Sequence, residues 1–144
     1  MIPTSAFGIG AGHPEFRFHI SADANDRNVK TLATSAGYSG EKNVDIVCIV
    51  DSGVVVGGSS ASTPAIVTGT GWGAGVRIFI IVFGTVSGAG GNGGQGADSG
   101  GSATAGGNGG DAIKKSEEVE THVLIMSGGK VQSGGAGAGA GGYV

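Results

Sequence analysis

The residues most suggestive of ligand chemistry lie in a glycine-rich tract, residues 88–110, with the sequence GAGGNGGQGADSGGSATAGGNGG. Residues 88–93 match G-x-G-x-x-G, the pattern with which dinucleotide-binding proteins bring a helix N-terminus up to a pyrophosphate. That chemistry requires a helix directly after the loop, and here small and polar residues follow for many positions. A second, overlapping match at residues 91–96 shows how readily such a tract produces the pattern. We therefore reject a nucleotide-binding loop.

The same tract contains the calcium-binding nonapeptide G-G-x-G-x-D-x-U-x, in which U is aliphatic. Residues 106–114 match it throughout, and residues 93–101 match it except at the aliphatic position, so Asp98 and Asp111 are the calcium candidates. Such motifs must recur every nine residues for successive turns to share the ion, whereas these two begin at residues 93 and 106. We therefore predict neither a metal nor any other cofactor.

Enzymatic chemistry has little support in the sequence. The three histidines, His13, His19 and His122, show no metal-ligand spacing with one another, and no G-x-S-x-G nucleophile motif occurs. Glu118, Glu120 and His122 alternate along one predicted strand and could bind an ion, but a solvated strand face explains the same pattern. We predict that the protein is not an enzyme.

Charge and hydropathy exclude two further classes of partner. The net charge is −3 with 13% charged residues and no basic patch, which disfavours nucleic acid and anionic membranes. The longest apolar run, residues 76–83, is too short to span a bilayer, so we expect no membrane insertion. The N-terminus lacks a cationic region followed by an apolar run, so we expect synthesis in the cytoplasm without a signal peptide. Cys48 lies mid-strand and is expected to be a buried apolar residue.

The elements that must position any site begin with an N-terminal unit, residues 1–42. Residues 15–20 alternate apolar and polar side chains, which predicts a half-buried strand. The following residues predict a helix with Asp23 as its cap, Asp26 in its first turn and Gly37 at its end. Their ordinary composition indicates a small unit separate from residues 43–144.

Three stretches after residue 42 resemble one another, namely residues 44–58, 76–91 and 119–135. Each has an eight-residue strand, a glycine-containing turn, one or more valines and then Gly-Gly, and the first opposite-face residue is charged: Asp45, Arg77 and Glu120. Repeated units of this kind stack their strands into a sheet or solenoid, although three strands followed by turns can also look alike by chance. We predict a mainly β fold, solenoid-like or sandwich-like.

The strand at residues 76–83 is apolar on both faces, so it requires cover on both sides. It is therefore predicted to be either a central strand or a subunit interface. The residues concerned are Ile78, Phe79, Ile80, Ile81, Val82 and Phe83.

Divided into triplets from Gly88, the glycine tract has Gly or Ala at the first position of every triplet. A three-residue period with one small position suits a polyproline II helix, so we predict ordered segments of the polyglycine II type rather than a flexible linker. The tiny positions would let neighbouring backbones hydrogen-bond, and other positions would point outward. These outward residues, Asn92, Gln95, Asp98, Thr104 and Asn108, are candidate binding residues.

Trp72 and Tyr143, flanked by glycine, either stack on a ligand or cap the core. Because glycine contributes little to a core, we expect an oligomer.

Residues 50–142 resemble the glycine-rich distal domains of tailed-bacteriophage tail-fibre and receptor-binding proteins. The resemblance is carried by SGVVVGGSSASTPAIVTGTGWGAGVRIFIIVFGTVSGAGGNGGQG and by VLIMSGGKVQSGGAGAGAGG. It implies an intertwined homotrimer in which glycine helices and short strands of three chains pack together. It also implies recognition of a bacterial surface glycan or outer-membrane protein.

In such fibres this domain ends a long chain, whereas here only about forty residues precede it. We therefore expect a small, separate virion protein on the particle surface, docked on another virion protein through residues 1–42. Its function is predicted to be that of a fibre or adhesin tip. A capsid decoration or head-fibre protein is the alternative, and a calcium-stabilised glycine-rich surface protein is the third interpretation.

Overall fold

A computed structural model describes residues 13–94 and 105–137. Within these residues the chain forms short strands and a single helix, α1, at Val29–Ser35. The long strands are β1 (Glu15–Ile20), β4 (Asp45–Val50), β7 (Arg77–Val82) and β10 (Glu120–Ile125). The others are β2 (Ala24–Asn25), β3 (Arg27–Asn28), β5 (Val55–Gly57), β6 (Ile66–Val67), β8 (Thr85–Ser87), β9 (Ile113–Lys114) and β11 (Lys130–Gln132). The prediction of a mainly β fold is confirmed.

The strands form three parallel sheets. Sheet A has the order β1-β4-β7-β10, sheet B the order β2-β5-β8-β11 and sheet C the order β3-β6-β9. All neighbouring strands are parallel. The chain thus visits sheets A, B and C in turn, and each visit adds one strand to the same side of each sheet.

The register of sheet A places similar side chains beside one another. Ile46 pairs with Ile78, and Cys48 pairs with Ile80, which in turn pairs with Val123. Side chains alternate between the two faces of a strand, so each of these columns points one way. On that side, the buried residues of β4 and β7 join Val56, Val86 and Ile66 from the other sheets in the main core.

The apolar strand β7 lies between β4 and β10, which is the central-strand position. Ile78, Ile80 and Val82 are fully buried in the main core. Phe79 and Ile81 belong to a second buried cluster on the opposite face, and Phe83 packs against that cluster. The chain itself therefore covers most of the residues proposed for an oligomer interface, and a subunit contact there stays a prediction.

Strand β1 occupies the predicted residues 15–20 and pairs with β4 along its whole length. It therefore continues sheet A, while a docking role for residues 1–42 stays a prediction.

The predicted start of the helix is wrong. The cap is Asn28, whose side chain accepts a hydrogen bond from the Thr31 N–H, and not Asp23. The Asp23 carboxylate instead accepts from the Val55 N–H at 2.8 Å. Asp26, with φ of 52°, accepts from the Ser59 N–H, and its hydrogen bonds with Ser59 lower the pKa of Asp26. The carboxylates thus bind the neighbouring chain segment, and the helix starts only after β3. Gly37, with φ of 111°, follows the C-cap Ala36 as predicted.

The Cys48 thiol is expected to resist alkylation in the folded chain. Burial raises the pKa of this thiol from an ordinary 9.0 to about 12, because the thiolate would be desolvated. The folded state therefore favours the protonated thiol, and this stabilisation, present below pH 9, is lost as the pH rises towards 12. Maleimide labelling at pH 8 followed by mass spectrometry should modify the chain in denaturant only. Rapid labelling of the folded chain would contradict the burial.

Candidate functional site

Three glycine-rich segments, residues 88–94, 105–110 and 132–137, pack side by side and are here called the glycine bundle. Six backbone hydrogen bonds of 2.7 to 2.9 Å join them. With each donor N–H named before its acceptor carbonyl, the six pairs are Gly88 and Gln132, Gly91 and Gly135, Gly107 and Asn92, Gly110 and Ala89, Gly134 and Gly110, and Gly137 and Gly107. The first segment donates to the third, the third to the second and the second to the first, so the bonding forms a closed ring.

The donors recur at every third residue in each segment, which is the period of a polyproline II helix. The predicted triplet frame has Gly88 and Gly91 at its first position, and both are donors. A Cβ atom at Gly88 would overlap the carbonyl oxygen of Gly110, and one at Gly134 would overlap that of Ala89. Glycine is therefore required for the backbones to approach this closely. The partners lie in the same chain, and a glycine packing between subunits stays a prediction.

All three segments have one end in common. The first and third run parallel, because Gly88 and Gly91 donate to Gln132 and Gly135. The second runs antiparallel to the first, because Gly107 donates to Asn92 while Gly110 donates to Ala89. Residues 94, 105 and 137 therefore lie at the same end of the glycine bundle, which is called its open end below.

Trp72 is half-buried at the edge of the main core. Its indole N–H lies 3.2 Å from the Thr68 carbonyl oxygen, and its ring centroid lies 5.3 Å from that of Tyr38. The Lys30 ammonium stands 5.4 Å from the Trp72 ring. These contacts are those of a residue that caps the core, and a role in binding stays a prediction.

A buried ion pair on the second face of sheet A was not anticipated from the sequence. Both Asp45 oxygens accept from the Arg77 guanidinium at 2.8 Å, and His13 lies 3.1 Å from the same carboxylate. The Asp45 side chain is fully buried, and its hydrogen bonds raise the pKa of Arg77. The sequence feature that could have indicated this ion pair is the charged residue at the start of the second face of each long strand.

The exposed end of that face carries the pair Glu120 and His122, 2.7 Å apart. The hydrogen bond from His122 lowers the pKa of Glu120, and the imidazole stacks on Phe79 at 5.0 Å. Glu118 does not join them, because its carboxylate accepts from the Gly71 N–H. Within residues 13–94 and 105–137, no three His, Cys, Asp or Glu side chains are grouped so that they could hold a metal ion. The calcium candidate Asp111 is exposed there.

A family model, that of the phage tail fibre adhesin Gp38, matches residues 15–144. The chain belongs to this family. Comparisons with curated proteins and with solved structures gave no match. The family confirms the resemblance to tail-fibre proteins and extends it towards the N-terminus, because the match includes β1 and α1.

Membership in this family indicates a non-enzymatic adhesin at the surface of the virion. In the part of the adhesin that the structure describes, no helix is long and apolar enough to cross a membrane. Of the binding residues predicted from the sequence, Trp72 packs against the core, and the others divide into two groups. Asn92 and Asn108 are exposed on adjoining segments of the glycine bundle. Gln95, Asp98, Thr104 and Tyr143 lie outside the described residues.

Proposed function

We propose that this adhesin is the tip of a tail fibre and that the open end of the glycine bundle recognises the host cell surface. The observation that carries the proposal is the shared end of the three segments. The chain passes through this end at residues 94, 105 and 137, so all outward residues predicted beyond them are attached to one place. The ring of hydrogen bonds supplies a rigid support, as a binding site on connecting segments requires.

Asn92 and Asn108 are the described side chains of this proposed site. Each amide carries donors and an acceptor, which suits either a glycan hydroxyl or the polar surface of an outer-membrane protein. The hydrogen bond from the Gly107 N–H to the Asn92 carbonyl holds the two segments together directly beside Asn108.

The remaining proposals concern assembly. Residues 1–42 dock on another virion protein, which is supported by β1, because it is an edge strand of sheet A. The order in which the chain visits the three sheets supports a solenoid. The homotrimer rests on the resemblance to fibre proteins. A capsid decoration protein is not proposed, since the family is one of tail fibre adhesins.

The variant carrying Asn92→Ala and Asn108→Ala is expected to adsorb to host cells about tenfold more weakly, since each lost polar contact costs about 0.5–1.5 kcal/mol. Adsorption is measured by flow cytometry with the fluorescently labelled protein, on a strain to which the wild type binds. Asn25→Ala is the matched control, because Asn25 is an exposed asparagine on β2. Equal adsorption of the double variant and the wild type would remove these two residues from the site. A wild type that adsorbs to no strain infected by the phage would contradict the proposed function.

A further inference from the structure

The last strand of sheet A exposes side chains at positions that are buried in the strand before it. Val123 and Ile125 of β10 are 42% and 54% exposed. Their register partners in β7, Ile80 and Val82, are fully buried. Side chains at these two register positions are therefore buried in β7 but exposed in β10, where two large aliphatic side chains remain in solvent.

Val123 borders an open concavity of about 380 Å³ at the end of the three sheets, and Ile125 lies two residues further along the same face of β10. Val123 lines the concavity together with Val131 of β11 and Ile113 of β9, while Asp111 and Lys115 supply polar groups. An apolar centre with a polar rim is the anatomy of a protein-binding surface. Among the described residues that line the concavity none is aromatic, so these residues offer no ring on which a sugar could stack.

We propose that this surface, formed by the outer edge of β10 and the concavity beside it, binds an extended segment of a host cell-surface protein as an added parallel strand. Among the described residues β10 pairs on one side only, with β7. Its other edge therefore presents the backbone groups that strand addition requires. The inference rests on the proposed function, because docking through β1 leaves β10, at the opposite edge of sheet A, facing away from the fibre.

The charges of sheet A define the chemistry of the added strand. Asp45, Arg77 and Glu120 are neighbours in register, so charge alternates across β4, β7 and β10, whereas β1 places Glu15 beside Asp45. The next strand should therefore place a cation beside Glu120, which is exposed, and aliphatic residues beside Val123 and Ile125. Opposite charges on neighbouring strands stabilise pairing, and like charges destabilise it.

A second copy of the chain gains less from charge at this surface than a strand that carries a cation. Continued parallel stacking would place its first strand, β1, against β10. Glu15 would then occupy the position beside Glu120, because Glu15 stands in the same row of the register as Asp45. Two carboxylates would then be neighbours, as Glu15 and Asp45 are within the chain, so charge contributes nothing favourable to this contact.

A peptide with the sequence of residues 76–83 and a soluble Gly-Ser-Lys tail is the direct probe. The peptide carries the required cation and aliphatic residues, because Arg77 and the aliphatic residues of β7 already pair with the inner edge of β10. We expect measurable binding in a fluorescence anisotropy titration and about tenfold weaker binding to the Ile125→Lys variant, which corresponds to about 1.4 kcal/mol. Val55→Lys is the matched control, because Val55 of β5 is 46% exposed on another sheet. A peptide with glutamate in place of Arg77 should bind several-fold more weakly. No binding, or equal binding to the Ile125→Lys variant, would overturn the surface.

The source of the strand is tested by photocrosslinking on host cells. Ile125→Cys receives a photoreactive maleimide, and the buried Cys48 does not compete for the label. The expected product is a crosslink between residue 125 and an extended segment of a cell-surface protein, sequenced by mass spectrometry. Val55→Cys should not give this product. A crosslink to another copy, to a fibre protein or to lipopolysaccharide would overturn the assignment.

The two proposals fail in different ways. Normal adsorption of the Ile125→Lys variant, with no protein crosslink from residue 125, would overturn this inference and leave the proposed function standing. Absence of adsorption by the wild type would contradict the proposed function and, with it, the assignment to a host protein. Circular dichroism and thermal melting of each variant show whether a loss of binding reflects a loss of folding.

Discussion

Gly134→Ala is expected to destabilise the glycine bundle by about 2–4 kcal/mol, through overpacking and a weakened backbone hydrogen bond. The new Cβ would overlap the Ala89 carbonyl oxygen and lie 3.0 Å from the Gly90 nitrogen. Both contacts are backbone atoms of the first segment, so no side-chain rotation can relieve the overlap. The third segment must move away from the first, which weakens the bond from the Gly91 N–H to the Gly135 carbonyl.

The matched control is Gly135→Ala, the next residue of the same segment. Apart from its two chain neighbours, no residue that the structure describes has a heavy atom within 4 Å of a Cβ at this position. Both substitutions reduce the freedom of the unfolded chain by the same amount, so the difference between the variants isolates the close approach. Gly135→Ala should be within about 0.5 kcal/mol of the wild type.

Urea denaturation gives the free energy of unfolding, and hydrogen exchange followed by mass spectrometry shows where protection is lost. If the glycine bundle opens without the sheets, Gly134→Ala will accelerate exchange in residues 88–94 and 105–110 while the sheets stay protected. Equal stability and equal exchange in the two variants would contradict the packing of the glycine bundle.

The sequence predicts the long strands well because their side chains are strongly patterned. Residues 15–20 alternate and form β1, and the aligned columns at 44–50 and 76–82 become register partners in sheet A. Strands of two or three residues, such as β3 or β9, carry no measurable period. Their position depends on the neighbouring strand to which they bond, which a local pattern does not contain.

The glycine tract shows the same division between local and non-local information. The triplet frame from Gly88 places the donors Gly88 and Gly91 at its first position, whereas the donors Gly107 and Gly110 stand at its second position. The frame does not say which segment supplies the acceptor. For Gly88 and Gly91 the acceptors lie in residues 132–137 of the same chain, a segment that is distant in sequence and is brought there by the pairing of β11 with β8.

Hydrogen bonds to distant residues explain why the predicted start of the helix is wrong. Asp23 and Asp26 are good helix caps by residue type, but both side chains accept hydrogen bonds from residues 55 and 59 instead. Those partners are more than thirty residues away, so nothing near Asp23 in the sequence reveals them.

Asp45→Ala is expected to destabilise the adhesin by about 3 kcal/mol, because removing one member of a buried ion pair leaves the other without its partner. The Asp45 side chain is fully buried, and Arg77 donates to both of its oxygens at 2.8 Å while remaining 27% exposed. Since Arg77 keeps some access to water, the loss should fall at the lower end of the range for buried pairs. Urea denaturation at pH 7 measures the change in the free energy of unfolding.

Glu120→Ala is the control in the same row of sheet A, two strands away from Asp45. Glu120 is 58% exposed and pairs with His122 in solvent, where such contacts contribute about 0–1 kcal/mol. A double-mutant cycle with Arg77→Met then isolates the interaction between Asp45 and Arg77, because the double variant retains neither charge. If Asp45→Ala costs no more than Glu120→Ala, the pair does not hold β4 and β7 in register. A large coupling energy would show instead that opposite charges on neighbouring strands of sheet A stabilise their pairing, which is the property that the proposed strand addition beside Glu120 requires.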